Sequence, residues 1–365
     1  MDSSSLKVLE SVQDYYGKVL QSNSDLKTQA CITPGKTVNQ YVACAISEVH
    51  SDVAARYYGC GLVIPPGVTG AKILDLGSGS GRDCFALSKL VGASGEVIGV
   101  DMTSEQIIVA NQYIQYHTEK FNYSQPNVRF VQGYLENLVG AGLPPNYFDI
   151  IVSNCVMNLS PDKNSVLSEA FNVLKPGGEL YFSDVYTDTN LSEEVKKDKV
   201  LWGECISGAL HWKDLHGLAN NIGFSKPYLV SCSPINIDKE DFKNVLGKAR
   251  FCSATYRLFK LPSDHNKLSG GKVIYNGEIP GYEDSFQFDH KSKLISGSPI
   301  SVPSDIMTVL HSCRLQDEFE FGPDVKEVCS VDVPEEDDPF QIIKGKENKG
   351  EKIEAACCGP KSGCC

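Results

Sequence analysis

Apolar residues along this chain follow two rhythms. In the first 55 residues Leu6, Val8, Leu9, Val12 and Tyr16 recur at roughly helical spacing, and Val42, Ala45, Ile46 and Val49 do so again, which predicts two amphipathic helices. The stretch between them, Thr28 to Thr37, carries Cys31 and the Pro34–Gly35 turn signal and reads as a loop. From Lys72 the pattern changes. KILDL, EVIGVDM, NVRFVQG (127–133), FDIIVSN (148–154) and ELYFSDV are short and almost wholly apolar, as strands buried on both faces are. Stretches of helical spacing separate them, up to Leu90, from Ser104 to His117, and through SVLSEAFNVLKPGG, whose stop is Pro176–Gly177–Gly178. Strands alternating with helices predict a doubly wound α/β core around a mostly parallel sheet.

Beyond Val185 the order loosens. Trp202 to Ile222 predicts a helix and FCSATYRLFKL (251–261) a strand. Residues from about 265 to 335 hold more Gly, Pro and Ser around short runs such as KVIYNG. After Asp332 the chain turns acidic, then Lys-rich, and ends in CCGPKSGCC, too poor in apolar residues to fold alone. The expected organisation is a helical segment over 1–55 with a cysteine loop, a main domain over 56–262, a small accessory α+β domain over 263–335, and a disordered tail over 336–365.

Composition narrows the partners. With 41% hydrophobic and 22% charged residues over 365 positions the chain can bury a sizeable core. Its formal net charge of −12 repels a phosphate backbone, which argues against nucleic acid. No run of about 18 apolar residues predicts a membrane span, and MDSSSLKVLE lacks the regions of a secretory signal. The expectation is a cytosolic monomer. Fourteen cysteines in a reducing compartment are then thiols, either packed as small hydrophobes or used for metal or redox chemistry.

In LDLGSGSGRD, Gly77, Gly79 and Gly81 follow a strand and precede a helix, where bare backbone lets a ligand approach a helix N-terminus. Asp101 closes the second strand, where a carboxylate can accept both hydroxyls of a ribose. A dinucleotide fingerprint wants glycine or alanine where Arg82 stands. Asp75, just ahead of the loop, repels a pyrophosphate and suits the cationic amino end of S-adenosylmethionine. A methyl donor fits best.

The order LDLGSGSG, Gly99–Val100–Asp101, an acidic residue after strand three and LKPGGELYFSD resembles the class I S-adenosylmethionine methyltransferases. That resemblance implies a Rossmann-like seven-stranded sheet. It also implies a cofactor site drawn from Tyr58, Asp75, Gly77, Ser78, Gly79, Gly81, Arg82, Asp101, Met102, Leu135, Glu136 and Asn154, with Glu136 and Leu135 by the adenine and Asn154 near the methyl.

Cysteines bear on the acceptor. Cys155 follows strand four directly, at the end of a parallel sheet that faces ligands. Cys205 lies in LWGECISGALHW, and Cys60 sits between Gly59 and Gly61 ahead of the first strand. Thiols around a methyl donor suit a soft acceptor such as trivalent arsenic, which trades hydroxyls for thiolate sulfur and keeps a lone pair. They also suit packed core thiols, whereas no C-x-x-C spacing marks a zinc site. A methyltransferase with a non-arsenic small-molecule acceptor (a sterol, quinone or amine) and a non-enzymatic metalloid-binding protein remain as alternatives. RYYGCGLVIP, ILDLGSGSGRDC, VSNCVMNL, ELYFSDVY, LWGECISGAL and FCSATYRLFK together resemble the arsenite methyltransferases of the animal type, from about Tyr15 to Leu261. By that resemblance Cys155 and Cys205 hold arsenic through every methylation round, Cys60 is a third ligand for inorganic arsenic, and Cys31 pairs with Cys60 in a disulfide during turnover. It further implies arsenite arriving as a thiol conjugate and thioredoxin or glutathione as reductant. Asp184 either orients a substrate or caps a turn. His211, Cys44, Cys84, Cys232, Cys252, Cys313 and Cys329 read as structural, and the pairs Cys357–Cys358 and Cys364–Cys365 are weak evidence for any site.

Overall fold

The apolar runs become strands β1 (Lys72–Leu76), β2 (Glu96–Asp101), β3 (Val128–Gln132), β4 (Phe148–Asn154) and β5 (Leu174–Thr187) of a computed structural model. It describes residues 3–20, 25, 27–28, 39–265, 268–322 and 337–348. Three further strands, β6 (Leu210–His211), β7 (Tyr228–Ile235) and β8 (Phe251–Phe259), complete a sheet of order β3-β2-β1-β4-β5-β8-β7, with β6 also on β5. Only β8 runs against its neighbours. The main path therefore has seven strands and is mostly parallel, as expected.

Alternating residues explain why the runs are apolar throughout. Leu74, Ile98 and Ile151 belong to one core cluster, while their neighbours Ile73, Val97 and Ile150 belong to the other. Successive side chains of a strand point to opposite faces, so a sheet covered on both faces needs apolar residues at every position. The carboxyl ends of β1, β2, β4 and β5 then bring Gly77, Asp101, Asn154 and Asp184 toward one edge.

The expected helix over Trp202–Ile222 is interrupted. A helix over Lys199–Gly203, capped by the Asp198 carboxylate accepting from the Val200 and Leu201 N–H groups, stops just before Cys205, whose φ is +62°. The chain then forms β6 and becomes helical again over Asp214–Ile222. Gly208 accounts for the detour: a Cβ there would lie 1.9 Å from the Asn158 carbonyl oxygen, so the turn is held against the loop after β4.

Residues 268–322 add strands β9 (Gly271–Tyr275), β10 (Ser285–Gln287), β11 (Lys293–Ile295), β12 (Pro299–Val302) and β13 (Phe319–Phe321), and a helix over Ser304–Ser312. β9 lies between β12 and β13, and β10 pairs with β11. Their apolar cluster includes Tyr228 and Phe259 of the main sheet. At the junction Arg257 meets Glu179 Oε1 at 2.8 Å (Nε) and 2.6 Å, and Arg314 meets Oε2 at 3.1 Å (Nε) and 2.9 Å. Arg314 also donates to the carbonyls of Pro66 and Gly67, binding the approach to β1 into the same knot.

The tail differs from expectation. Within 336–365 a helix spans Pro339–Asn348, because Phe340 and Ile343, three apart on one helical face, reach the core cluster beside Cys232 and Leu229. The acidic and basic residues around this pair hide it in the composition. Cys329 and the cysteine pairs at the end lie outside the described residues. Among the described residues no helix is long and apolar enough to cross a membrane.

Candidate active site

The glycine loop leads from β1 into the helix Arg82–Val91. Gly77, Gly79 and Gly81 have φ of +69°, +52° and +91°, a region that side chains rarely adopt. A Cβ on Gly77 would meet Val156 and one on Gly81 would meet Phe130, but one on Gly79 would meet nothing within 4 Å. Gly79 therefore opens onto a pocket of about 940 Å³, part of it open to solvent. Asp101 accepts one backbone N–H on each oxygen, from Gly79 at 2.9 Å and Thr103 at 2.8 Å. Those bonds fix the carboxylate and leave acceptor capacity for hydroxyls. Burial holds its pKa above the ordinary value, and the two N–H donors act the other way.

Asp75 is buried behind the loop and accepts the Cys84 thiol proton at 3.2 Å. Burial first, then the charges of Asp83 and Asp101, push its pKa well above the usual carboxylate range. Three carboxylates around one loop form a site that a cation relieves. The remaining lining includes Tyr58, Ser78, Met102, Gln106, Leu135, Glu136, Asn154 and Cys155. Tyr58 Oη, Ser78 Oγ and Gln106 Oε1 are buried with no hydrogen-bond partner among the described residues. An acidic, polar pocket of this kind suits a cationic adenosine compound such as S-adenosylmethionine. Eleven of the twelve residues expected from the sequence for the cofactor line the pocket; the other, Gly81, shapes the turn beneath it.

Asn154 acts as a clamp. Its Nδ2 donates to Tyr57 Oη at 2.6 Å, the Gly61 carbonyl at 2.9 Å and Asp83 Oδ2 at 3.2 Å, and its Oδ1 accepts from the Gly61 N–H at 3.2 Å. Cys60 is thus fixed to the end of β4. Flanking glycines permit the fit: a Cβ on Gly59 would lie 2.6 Å from Tyr57 Oη, and one on Gly61 2.2 Å from Ser183 Oγ. Arg82 pairs with Asp83 at 2.7 Å and lies over the Tyr57 ring at 3.9 Å.

Cys60, Cys155 and Cys205 are buried, none in a disulfide. Cys155 and Cys205 have φ of +60° and +62°; among the described residues the other side chains at positive φ belong to Asn122 and Asn146. Asparagine tolerates that region and cysteine does not, so both thiols sit on backbone that the surrounding structure forces. Cys155 is held by its N–H to the Ser183 carbonyl at 2.8 Å, and Cys205 Sγ donates to the Cys155 carbonyl at 3.0 Å. The Cys60 and Cys155 sulfurs and a carboxylate oxygen of Asp184 all lie within 4.8 Å of one another, and Cys205 is outside that group. Cys31 lies outside the described residues.

Sequence reasoning missed Glu204 and left the role of Asp184 open. Glu204, with no exposure, accepts from Tyr15 Oη at 2.5 Å, Lys27 N at 2.7 Å, Thr28 N at 2.6 Å and Thr28 Oγ1 at 2.7 Å. It fastens the N-terminal segment beside the Cys205 turn, and Leu9, Val12 and Tyr16 of that segment line the pocket. A glutamate next to a cysteine carries no sequence signal for such a role. Cys84 is buried but also a donor to Asp75, and Cys44 is half-buried and disulfide-bonded rather than a packed thiol. Cys232, Cys252 and Cys313 are buried as expected, and His211 lies apart from the pocket.

A family model for a methyltransferase domain matches residues 68–223, and one for the arsenite methyltransferase C-terminal domain matches residues 269–365. The chain is 44% identical to arsenite methyltransferase of Rattus norvegicus over 366 residues, 98% of each chain. It is 51% identical to that of Aquipseudomonas alcaligenes over 314 residues, covering 86% of this chain and 90% of the relative. Among solved structures it resembles an arsenic(III) S-adenosylmethionine methyltransferase from Chlamydomonas reinhardtii with a TM-score of 0.75 and 40% identity, over 80% of this chain and 98% of the other.

Proposed function

Because this chain belongs to the arsenite methyltransferase family, we propose that it transfers methyl groups from S-adenosylmethionine to trivalent arsenic held by Cys60, Cys155 and Cys205, giving mono- and dimethylated arsenicals. The observation that carries the thiol assignment is the pair of left-handed cysteines at the edge of the cofactor pocket, Cys155 being part of its lining. Strain of this kind collects where function requires it.

S-adenosylmethionine, when bound, supplies an electrophilic sulfonium methyl. Asp101 and Asp75 are the groups that hold its ribose and its cationic end. Arsenite arrives as a thiol conjugate, and each cysteine exchanges onto it: an S–As bond forms, the bond to the outgoing thiol breaks, and the cysteine proton leaves with that thiol. The Asn154 clamp and the Cys155 turn fix the thiols, so positioning supplies much of the rate, a contribution worth about 7–11 kcal/mol in well-oriented systems. An arsenic lone pair needs no general base. Cys31 is the redox partner of Cys60 in this reading, with thioredoxin or glutathione resetting the thiols in the cytosol, and the enzyme acts as a monomer. The main unit spans 56–262, with 263–335 as an accessory domain.

Arsenic speciation by chromatography and mass spectrometry tests the reading, on purified protein with S-adenosylmethionine, arsenite and a thiol reductant. Methylated arsenic is expected from the native protein and none from Cys155→Ser or Cys205→Ser. Cys31→Ser and Cys60→Ser are expected to keep methylation of monomethylated substrate. Loss of that step as well would overturn the division of roles among the thiols.

A further inference from the structure

Asp184 is a buried carboxylate that the arsenic chemistry described so far leaves unused. It has 2% exposure, and a carboxylate oxygen lies within 4.8 Å of the sulfurs of both Cys60 and Cys155. Its orientation is set by the backbone: Oδ1 accepts from the Val185 N–H at 2.8 Å and Oδ2 from the Asn158 N–H at 3.1 Å. Asn158 is itself fixed through Nδ2 to the Val185 carbonyl at 2.6 Å.

Charge moves during the reaction, and its direction gives this carboxylate work. The arsenic lone pair becomes the As–C bond, and the C–S bond breaks with its electron pair remaining on sulfur. The sulfonium is reduced to a neutral thioether and arsenic is oxidised by two electrons. No proton moves. Neutral arsenic held by three thiolates thereby becomes cationic, so positive charge leaves the cofactor sulfur and appears among the thiols. We propose that Asp184 is a catalytic residue that stabilises this developing positive charge on arsenic, a fixed anion placed where the transition state needs one. Preorganised charge in a dry site is a large source of rate enhancement, and loss of a single such group costs about 10²–10³ in rate. The inference rests on the arsenic reading of the same site. Lys163, whose Nζ donates to the Ser160 carbonyl at 3.1 Å, is a half-buried cation close enough to Asp184 for their opposite charges to attract.

The test separates binding from transfer. Asp184→Asn keeps the shape and an acceptor but removes the charge. Arsenite binding and S-adenosylmethionine binding would be titrated calorimetrically, and methyl transfer followed in a single turnover of the loaded protein. The expected result is both affinities within about threefold of the native protein, with transfer slowed about a hundredfold. Asp184→Glu, which retains the charge, is expected to recover at least a tenth of the native rate, and it stands in should the asparagine variant misfold. Native transfer by Asp184→Asn, or a failure of that folded variant to bind arsenite, overturns the proposal; so does a folded Asp184→Glu no faster than Asp184→Asn. A native protein that binds both ligands and yields no methylated arsenic would instead sink the functional reading.

Discussion

Glu179 and Glu204 are both carboxylates with no solvent exposure, yet they are satisfied in opposite ways. Glu179 lies where the main sheet meets the C-terminal unit and has two arginines, with Phe259, Phe286 and Phe288 around the Arg257 guanidinium at 5.0–5.4 Å. Glu204 lies at the reaction end and accepts from a phenol, a hydroxyl and two backbone N–H groups. The first arrangement is a cross-brace of fixed cations. The second gathers a chain segment around an anion. Where the protein only has to hold together it builds in countercharge, and where a segment must fit over ligands it uses hydrogen bonds. Asp75 is a third case, a buried carboxylate among others, which the cation of the cofactor would relieve under the proposed function.

The contrast can be broken most forcefully at Glu179. Glu179→Leu leaves two arginines facing each other without an anion, and removing one partner of a buried pair costs about 3–5 kcal/mol. Chemical denaturation is expected to record that loss, with cofactor affinity in the folded fraction unchanged. Glu204→Gln sharpens the other side. Its amide group opposes donors that the carboxylate accepted, for a loss of about 1–3 kcal/mol. Unlike Glu179→Leu, it is expected to weaken S-adenosylmethionine binding, about three- to tenfold by calorimetry, since the segment it holds lines the pocket. Equal affinities in the two variants would erase the distinction.

Asp75 gives a dependence on pH. Its pKa is raised, chiefly by burial and by Asp83, so it loses its charge at a higher pH than an ordinary aspartate. Cofactor affinity is therefore expected to fall as pH drops through that raised range, by up to about tenfold per unit, and Asp75→Asn should remove the slope. The smallest effect is remote from all three carboxylates. His117, buried and stacked on Phe85 at 3.8 Å, is held down to about 4, mainly by burial. The unfolded chain takes up this proton near 6.5 and the folded one near 4, so the stability it contributes is present above 6.5 and is lost as pH falls between the two. Denaturation at pH 5.5 is expected to show a loss of about 1 kcal/mol relative to pH 7.5, flattened in His117→Gln.

Much of this was legible beforehand, for physical reasons. A strand buried on both faces has no polar positions, so β1 to β5 announce themselves. Gly79 and Asp101 are readable because bare backbone and a carboxylate at a strand end have few other uses. The Cys205 turn was not, since residues 202–222 keep helical spacing on both sides of a break imposed from outside, by the close approach of Gly208 to Asn158. Glu204 stayed hidden because its partners are 176 to 189 positions away in sequence, and Asp184 because a carboxylate at the end of β5 acquires meaning only from the sulfurs of two other segments.

Those sulfurs come from distant points of the chain: Cys60 and Cys155 are 95 positions apart, and Cys155 and Cys205 a further 50. An arsenic atom bound to all three is a cross-link, closing two large loops as a pair of disulfides would. By the chain-entropy rule a loop of about 100 residues so closed is worth roughly 4–5 kcal/mol. On this account each replacement of a thiolate by a methyl group opens one of the links. The enzyme is expected to be hardest to unfold when arsenite has just been taken up, before the first methyl is transferred, and to soften with each methylation.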